Sequence, residues 1–121
     1  KALRNEIEDL LYNYNVDLFV AGHYHSYFRT CDKLYKGVCG GDGVGGTLHV
    51  TVGTAGYELT KGTLVPEDWT EVFLKVYGYG RVTVNRTNLI WEFVRDEDGM
   101  VLDRVVLEKG EFGSDYHRAL H

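Results

Sequence analysis

The sequence predicts an α/β chain made mostly of β-strands, with a single helix near its N-terminal end. Apolar residues recur at helical spacing from Leu3 to Tyr14, and an apolar run from Val16 to Ala21 follows directly. A helix that leads into an apolar strand is half of an α/β unit. From Trp69 onward, short β-type runs are separated by turn residues, which indicates a β-rich C-terminal half. No repeat or linker divides the 121 residues, so we expect one structural unit.

The N-terminal helix is predicted to be amphipathic and to end near Tyr14 and Asn15. Its apolar positions, with charged residues mostly between them, are Leu3, Ile7, Leu10, Leu11 and Tyr14. Because Lys1 already belongs to the helical pattern, we expect the chain to begin inside a larger protein. Residues 16–21 are then predicted to form a short buried strand.

A long loop is predicted for residues 22–46. It contains Cys31, Cys39 and a glycine-rich stretch, and loops of this length are commonly functional or pinned by something. No Lys-Ser/Thr pair follows the glycines, so we expect a flexible surface loop rather than a phosphate cradle. The β-branched residues 47–52 are predicted to form the next strand, which the glycines at 53 and 56 bring to an end.

Four more strands are predicted at residues 71–77, 80–85, 88–95 and 100–107. The turn before the last of them, Asp96-Glu97-Asp98-Gly99, has a pattern typical of a β-hairpin. Trp69 and Trp91 are predicted to be core residues. The tail after Gly110 is polar, and we assign no role to the two histidines in it, His117 and His121.

Composition excludes two classes of protein. Acidic residues outnumber basic ones by 18 to 13, and a net charge of −5 argues against a nucleic-acid-binding surface. No apolar run approaches the roughly 20 residues that a membrane span requires, so no span is predicted. A phosphate substrate is still compatible with the charge, because bound metal cations can reverse the local field.

Two features favour the secretory pathway. Cys31 and Cys39 are an even, close pair that suits a disulfide in an oxidising compartment. Asn85, with Arg86 and Thr87 after it, forms an N-glycosylation sequon. We therefore expect a secreted or a lysosomal or vacuolar protein.

The chemistry of the chain is concentrated at His23 and His25, which follow the apolar strand. In extended backbone, residues two apart point to the same side, so both imidazoles can face one metal ion or two neighbouring ions. Such sites favour the carboxyl end of strands in α/β sheets. Gly22 has no side chain, which lets backbone and ions approach closely. The alternative is a pair of surface or hydrogen-bonded histidines without a ligand role.

Three segments resemble the purple acid phosphatases. Gly22-His23-Tyr24-His25-Ser26-Tyr27-Phe28-Arg29 resembles that family's Gly-His-x-His-x-Tyr-Glu-Arg block. Residues 48–56 are similar to its His-Val/Ile-Thr-x-Gly-x-x-Gly segment, and residues 78–103 to its closing hairpins. The similarity runs from the first residues to about Leu107. Phe28 departs from the pattern, because the family usually has Glu at that place.

The resemblance implies a fold, an activity and a metal site. The fold is the C-terminal part of a four-layer α/β/β/α metallophosphoesterase sandwich, with residues 1–121 as the C-terminal segment of one catalytic domain. The activity is acid phosphatase hydrolysis of phosphate monoesters at a binuclear centre of Fe(III) with Zn, Mn or Fe(II). His23 would bind the divalent ion and His25 the ferric one. The other ligands would come from the upstream part of the same domain, so the fragment alone would be inactive and no catalytic residue is assigned in it.

Further expectations concern the disulfide and the residues around the two histidines. The resemblance also suggests a subgroup that closes the histidine loop with a Cys31–Cys39 disulfide. His49 is expected to be a packed or hydrogen-bonded core histidine. Tyr24 and Tyr27, which flank the ligands, are expected to pack the loop rather than line a substrate pocket. Tyr57 and Glu58 follow the glycine-rich bend, and from this position alone they are expected to border the site.

Two alternatives stay open. One is a small zinc-binding module that uses His23, His25, Cys31 and Cys39, which are four ligands of suitable type. Its spacing matches no common zinc finger. The other is a non-catalytic β-rich interaction domain that keeps the family fold.

Overall fold

The computed structural model describes residues 2–40, 45–62 and 67–108, with side chains from residue 6 onward. The predicted polar tail, with His117 and His121, therefore lies outside the described residues. The helix and strands are α1 (Ala2–Asn13), β1 (Leu18–Ala21), β2 (Tyr27–Thr30), β3 (Leu34–Tyr35), β4 (Val38–Cys39), β5 (Leu48–Val52), β6 (Thr70–Leu74), β7 (Gly78–Val84), β8 (Asn88–Arg95) and β9 (Val101–Glu108). They confirm a mostly β chain with one N-terminal helix.

Helix α1 ends where the sequence predicts. Asn15 adopts a left-handed conformation with φ of 55°, and its N–H donates to the carbonyl of Tyr12 at 3.1 Å. The N–H of Val16 donates back to the carbonyl of Leu11 at 2.9 Å. These two bonds form a Schellman motif, which satisfies carbonyls that the helix end would leave without partners. The chain then turns directly into β1. Within the described residues, no helix combines the length and the apolar character that crossing a membrane requires.

The larger sheet has the strand order β1-β5-β2-β6. Strand β1 pairs with β5 in parallel, and β2 pairs antiparallel with both β5 and β6. The prediction of one long loop over residues 22–46 is therefore wrong, because β2 lies inside the sheet and β3 and β4 form a small hairpin. A four-residue strand has little periodicity of its own, and its pairing partners lie more than 20 residues further along the chain.

Strand β1 is less buried than its apolar sequence predicts. Leu18 and Phe19 are half-buried, whereas Val20 is 48% exposed and Ala21 is also exposed. Among the described residues β1 is an edge strand with β5 as its neighbour. A continuous apolar run is typical of a strand that is covered on both faces, whereas the second half of β1 stays exposed among the described residues.

The smaller sheet is a meander of β7, β8 and β9. The predicted hairpin turn between β8 and β9 is confirmed, with Gly99 at φ of 73° and its N–H donating to the carbonyl of Arg95 at 2.9 Å. Gly80 of β7 leaves room for an aromatic ring, because a Cβ at this position would lie 2.1 Å from the indole of Trp91. The glycine thus allows β7 to pass directly over the core.

The core lies between the two sheets. It consists of Tyr27, Leu48, Val50, Trp91 and Phe93, and the rings of Tyr27 and Phe93 stack with centroids 4.0 Å apart. The prediction for Trp91 is thereby confirmed. Trp69 differs from its prediction: it is half-buried and lies on the opposite face of the larger sheet, with its ring 6.1 Å from that of Phe28.

The β3–β4 hairpin packs against helix α1. Cys31 and Cys39 form a disulfide at its base, with Cα atoms 6.0 Å apart. At its tip, the ring of Tyr35 stacks on that of Tyr12 at 4.0 Å, and the backbone N–H of Lys36 donates to the carboxylate of Glu8 at 2.6 Å. The expected disulfide is present, and it holds the segment that contacts α1.

Candidate metal centre

His23 and His25 lie in the loop between the end of β1 and the start of β2. The N–H of Tyr24 donates to the carbonyl of Gly22 at 3.0 Å, and the N–H of Ser26 donates to the carbonyl of Tyr24 at 2.9 Å. Each bond spans two residues, so the histidines are the central residues of two consecutive γ-turns. The expectation of extended backbone at this point is therefore wrong. The chain must reverse from β1 into β2 within five residues, which extended backbone does not permit.

The backbone of His23 is strained. Its φ is 78°, a left-handed value that non-glycine residues rarely adopt and that costs on the order of 1–3 kcal/mol. Such strain persists only where surrounding contacts impose it, and it is concentrated at ligand clamps and active sites. The side chain of His23 is exposed, whereas that of His25 is half-buried.

The ring of His25 is oriented by the backbone of a distant loop. Its Nδ1 lies 2.8 Å from the carbonyl oxygen of Glu58. A carbonyl oxygen can only accept, so Nδ1 carries the proton, and the neutral ring keeps its lone pair on Nε2. The backbone carbonyl of His25 also accepts from the N–H of Thr60 at 2.8 Å. Histidines that bind metals commonly donate their second ring nitrogen in this way, which fixes tautomer and orientation.

Gly53 holds the peptide between Tyr24 and His25 in place. A Cβ on Gly53 would lie 2.0 Å from the carbonyl oxygen of Tyr24 and 3.2 Å from the Cα of His25. The N–H of Gly53 donates to the carbonyl of Ser26 at 3.2 Å. Only glycine permits this approach, so Gly53 positions the histidine loop. In the sequence, this glycine indicates only the end of a strand.

Two tyrosines are exposed beside the histidines. Tyr24 is 39% exposed and Tyr57 is 72% exposed. The ring of Tyr57 lies 5.2 Å from that of His25 at an angle of 70°. The expectation that Tyr57 and Glu58 border the site agrees with these contacts. Tyr27, in contrast, is fully buried and belongs to the core.

A buried polar network follows the histidine loop, and no pattern in the sequence predicts it. The carboxylate of Asp103 accepts from the hydroxyl of Tyr27 at 2.5 Å and from Nε and Nη2 of Arg29 at 2.7 and 3.1 Å. The indole N–H of Trp91 donates to the Tyr27 oxygen at 2.8 Å. Burial, reinforced by the Asp103 carboxylate, raises the pKa of Tyr27 far above its ordinary value. The network therefore fixes β2, and with it the end of the histidine loop, to the smaller sheet.

The described residues do not by themselves form a metal site. No group of three or more His, Cys, Asp or Glu residues among them is placed to hold a metal ion. Cys31 and Cys39 are bonded to each other and offer no thiolate, so the four-ligand zinc site is not formed. His49 lies half-buried in β5 with its ring 5.7 Å from that of Phe19, in keeping with a packed histidine.

Comparison with known proteins points to one family. The family described as iron/zinc purple acid phosphatase-like protein C matches residues 46–104. Acid phosphatase type 7 of Homo sapiens is 35% identical over 117 residues, which cover 88% of this chain and 27% of that protein. The probable inactive purple acid phosphatase 1 of Arabidopsis thaliana is 29% identical over 114 residues, covering 88% of this chain and 18% of that protein.

A solved structure extends the likeness to three dimensions. A purple acid phosphatase from the seeds of yellow lupin (Lupinus luteus) superposes with a TM-score of 0.79 at 28% identity, covering 95% of this chain and 20% of that one. The described fold matches the C-terminal part of that enzyme's fold. The chain spans 18% and 27% of the length of the two curated relatives named above.

Proposed function

Because this chain belongs to the purple acid phosphatase family, we propose that it supplies His23 and His25 to a binuclear metal site that hydrolyses phosphate monoesters. The bond from His25 Nδ1 to the carbonyl of Glu58 carries the proposal, because it leaves Nε2 as the ligand atom. His23 binds the divalent ion, which is Zn, Mn or Fe(II), and His25 binds Fe(III). The remaining ligands come from the upstream part of the catalytic domain.

The donor chemistry of the two histidines fits these metals. Neutral imidazole nitrogen suits iron, zinc and manganese alike. A loop held by Gly53, by the Glu58 carbonyl and by Thr60 keeps the ring of His25 fixed before a metal arrives, so little ordering is needed on binding. His23 is exposed and accessible to an ion shared with another segment.

The residues of this chain orient the site rather than transfer protons in it. Two bound cations would clamp the phosphate oxygens and activate a water for in-line attack. These 121 residues carry a net charge of −5, so this part of the protein does not attract phosphate esters over long range. Local attraction at the histidine loop then has to come from the cations.

The test is metal content and phosphatase activity of the full-length protein after single and double replacement of the histidines. We expect His23→Ala and His25→Ala each to remove bound metal and to lower hydrolysis of an aryl phosphate by at least about 100-fold. Glu58→Gln is the matched control, because His25 contacts the backbone of Glu58 and not its side chain. Full activity in the double variant would overturn the proposal.

A non-catalytic role is the second candidate. Three relatives from Arabidopsis thaliana are named probable inactive purple acid phosphatases. Phe28 is also the position at which this chain departs from the Gly-His-x-His-x-Tyr-Glu-Arg block that it resembles. In this structure Phe28 lies on the face of the larger sheet that points away from the core, near Trp69. A wild-type full-length protein that binds two metals but hydrolyses no phosphate ester would favour this candidate.

We further propose that Asn85 carries an N-linked glycan and that the protein is secreted, lysosomal or vacuolar. Asn85 is exposed at the tip of the β7–β8 hairpin, and its Oδ1 accepts from the backbone N–H and the hydroxyl of Thr87 at 2.8 and 3.2 Å. Among the described residues, the side-chain nitrogen that would bear the glycan makes no hydrogen bond. Mass spectrometry before and after glycosidase treatment tests this, with Asn85→Gln losing the mass shift and Asn88→Gln keeping it.

A further inference from the structure

The ring of Tyr57 is a large, exposed apolar surface beside His25, a candidate metal ligand. It is 72% exposed in this chain, more than any other tyrosine among the described side chains. The ring contact that fixes its place is the nearly perpendicular one with His25, at 5.2 Å. A tyrosine that served only to pack the loop would bury most of its ring.

The backbone that carries Tyr57 is anchored on both sides. Before it, Thr54 is fully buried, and its hydroxyl donates to the carbonyl of Gly78 at 2.9 Å. After it, the Glu58 carbonyl and the Thr60 N–H both bind His25. The tyrosine therefore lies in a short segment whose two ends are held by hydrogen bonds. A ring presented in this way loses little conformational entropy when a ligand stacks on it.

The position of the ring decides which part of a substrate it meets. A phosphate bound through cations at His23 and His25 would carry its ester group near the ring of Tyr57, whose centroid lies 5.2 Å from that of His25. Aromatic groups gain from stacked or edge-to-face contact with such a ring, whereas small alkyl groups gain much less.

We propose that Tyr57 determines specificity by favouring phosphate esters with an aromatic or heteroaromatic group next to the phosphate, an inference that rests on the proposed function. Tyr57 contacts the ester group and takes no part in bond breaking. Its effect falls on substrate affinity and not on the chemical step.

Binding of two phosphonates that cannot be hydrolysed tests this in the metal-loaded full-length protein. Phenylphosphonate and methylphosphonate share one anionic head and differ in the group that would meet Tyr57. We expect Tyr57→Leu to weaken phenylphosphonate about three- to tenfold while leaving methylphosphonate unchanged. Tyr57→Phe keeps the ring and should bind both as the wild type does. Metal content of each variant is measured in parallel.

The outcomes separate the specificity role from the site itself. Equal weakening of both phosphonates by Tyr57→Leu, or loss of metal from that variant, would mean that Tyr57 merely supports His25, and would overturn the inference. Unchanged binding of phenylphosphonate would overturn it as well. A wild-type protein that binds metal but neither phosphonate would instead count against the proposed function, and the inference would fall with it.

Discussion

Arg29 and Asp103 join the two β-sheets through a two-pronged ion pair, with Nε 2.7 Å from Oδ2 and Nη2 3.1 Å from Oδ1. Both side chains are largely buried, at 12% and 6% exposure. The planar guanidinium matches the carboxylate, and the hydroxyl of Tyr27 supplies a third donor. Tyr27 and Arg29 both belong to β2, which begins two residues after His25. These bonds to Asp103 therefore also fix the strand that follows the histidine loop.

The first prediction concerns the loss of this buried partner. Asp103→Asn removes the charge that Arg29 faces while keeping the shape of the side chain. We expect it to lower the free energy of unfolding by about 3 kcal/mol, because an unpaired buried charge is costly. Urea unfolding of the chain, followed by tryptophan fluorescence, measures the change, and Trp91 reports on the network directly.

Asp32→Asn is the matched control for that experiment. Asp32 lies 3.9 Å from Nη1 of the same arginine but is 57% exposed. Exposed pairs of this kind contribute about 0–1 kcal/mol, so its variant should unfold nearly as the wild type does. Equal losses in the two variants would contradict the assignment of Asp103 as the principal partner of Arg29.

The strands of the smaller sheet could be predicted from sequence, whereas β2 could not. Strand β8 coincides with its predicted bounds, and β9 is displaced by one residue, because segments rich in β-branched and other apolar residues flank a strong turn at Asp96–Gly99. Strand β2 has four residues between a histidine loop and a cysteine. Its stability comes from Val50, Thr51 and Val52 on one side and β6 on the other, contacts that local pattern does not encode.

The candidate ligands could be named from sequence, but their setting could not. Two histidines after an apolar strand indicated a site, and the resemblance gave each a metal. The group that orients His25 is the backbone carbonyl of Glu58, 33 residues away. Every residue has a backbone carbonyl, so the identity of residue 58 does not predict this contact. Gly53 could be noticed in the sequence as a glycine after a strand. The reason that a glycine is needed there is its close contact with the Tyr24 carbonyl, which only the structure shows.

The second prediction is a pH dependence of the β8–β9 turn. Hydrogen bonds from Arg95, joined by one from the Met100 N–H, lower the pKa of Asp98 from 3.8 to about 2. A carboxyl whose folded pKa is depressed contributes stability that is present above its unfolded pKa and lost as the pH falls through the folded one. The turn should therefore loosen between about pH 4 and pH 2. Carboxyl NMR titration should give a midpoint near 2, and Arg95→Gln should move it back toward 3.8.

The third prediction concerns the Cys31–Cys39 disulfide. Because the two cysteines are eight residues apart, closing so short a loop contributes about 2–3 kcal/mol in the chain-entropy account. Reduction, or the double change to Ala, should lower the urea midpoint accordingly. It should also expose Tyr35 and Tyr12, because the hairpin that contacts α1 loses its closed base.

Thiol titration provides the control for this experiment. The folded protein should show no reactive thiol before reduction and two after it, since the structure contains no free cysteine. Two reactive thiols in the untreated protein would contradict the disulfide and would reopen the zinc alternative.

The last prediction separates the positioning of the histidines from overall stability. Gly53→Ala forces a Cβ to within 2.0 Å of the Tyr24 carbonyl oxygen, a backbone atom that cannot move without displacing His25. We expect metal affinity of the full-length protein to fall about 10- to 100-fold, the range seen when a group that orients a ligand is lost. Ser26→Ala is the control in the same loop. Its hydroxyl is fully buried without a hydrogen-bond partner among the described residues, so removing it should leave the loop in place and metal affinity unchanged. Equal metal affinity in Gly53→Ala and the wild type would show that His25 tolerates a displaced backbone, and that the ring, held by Glu58, is the sole determinant of its position.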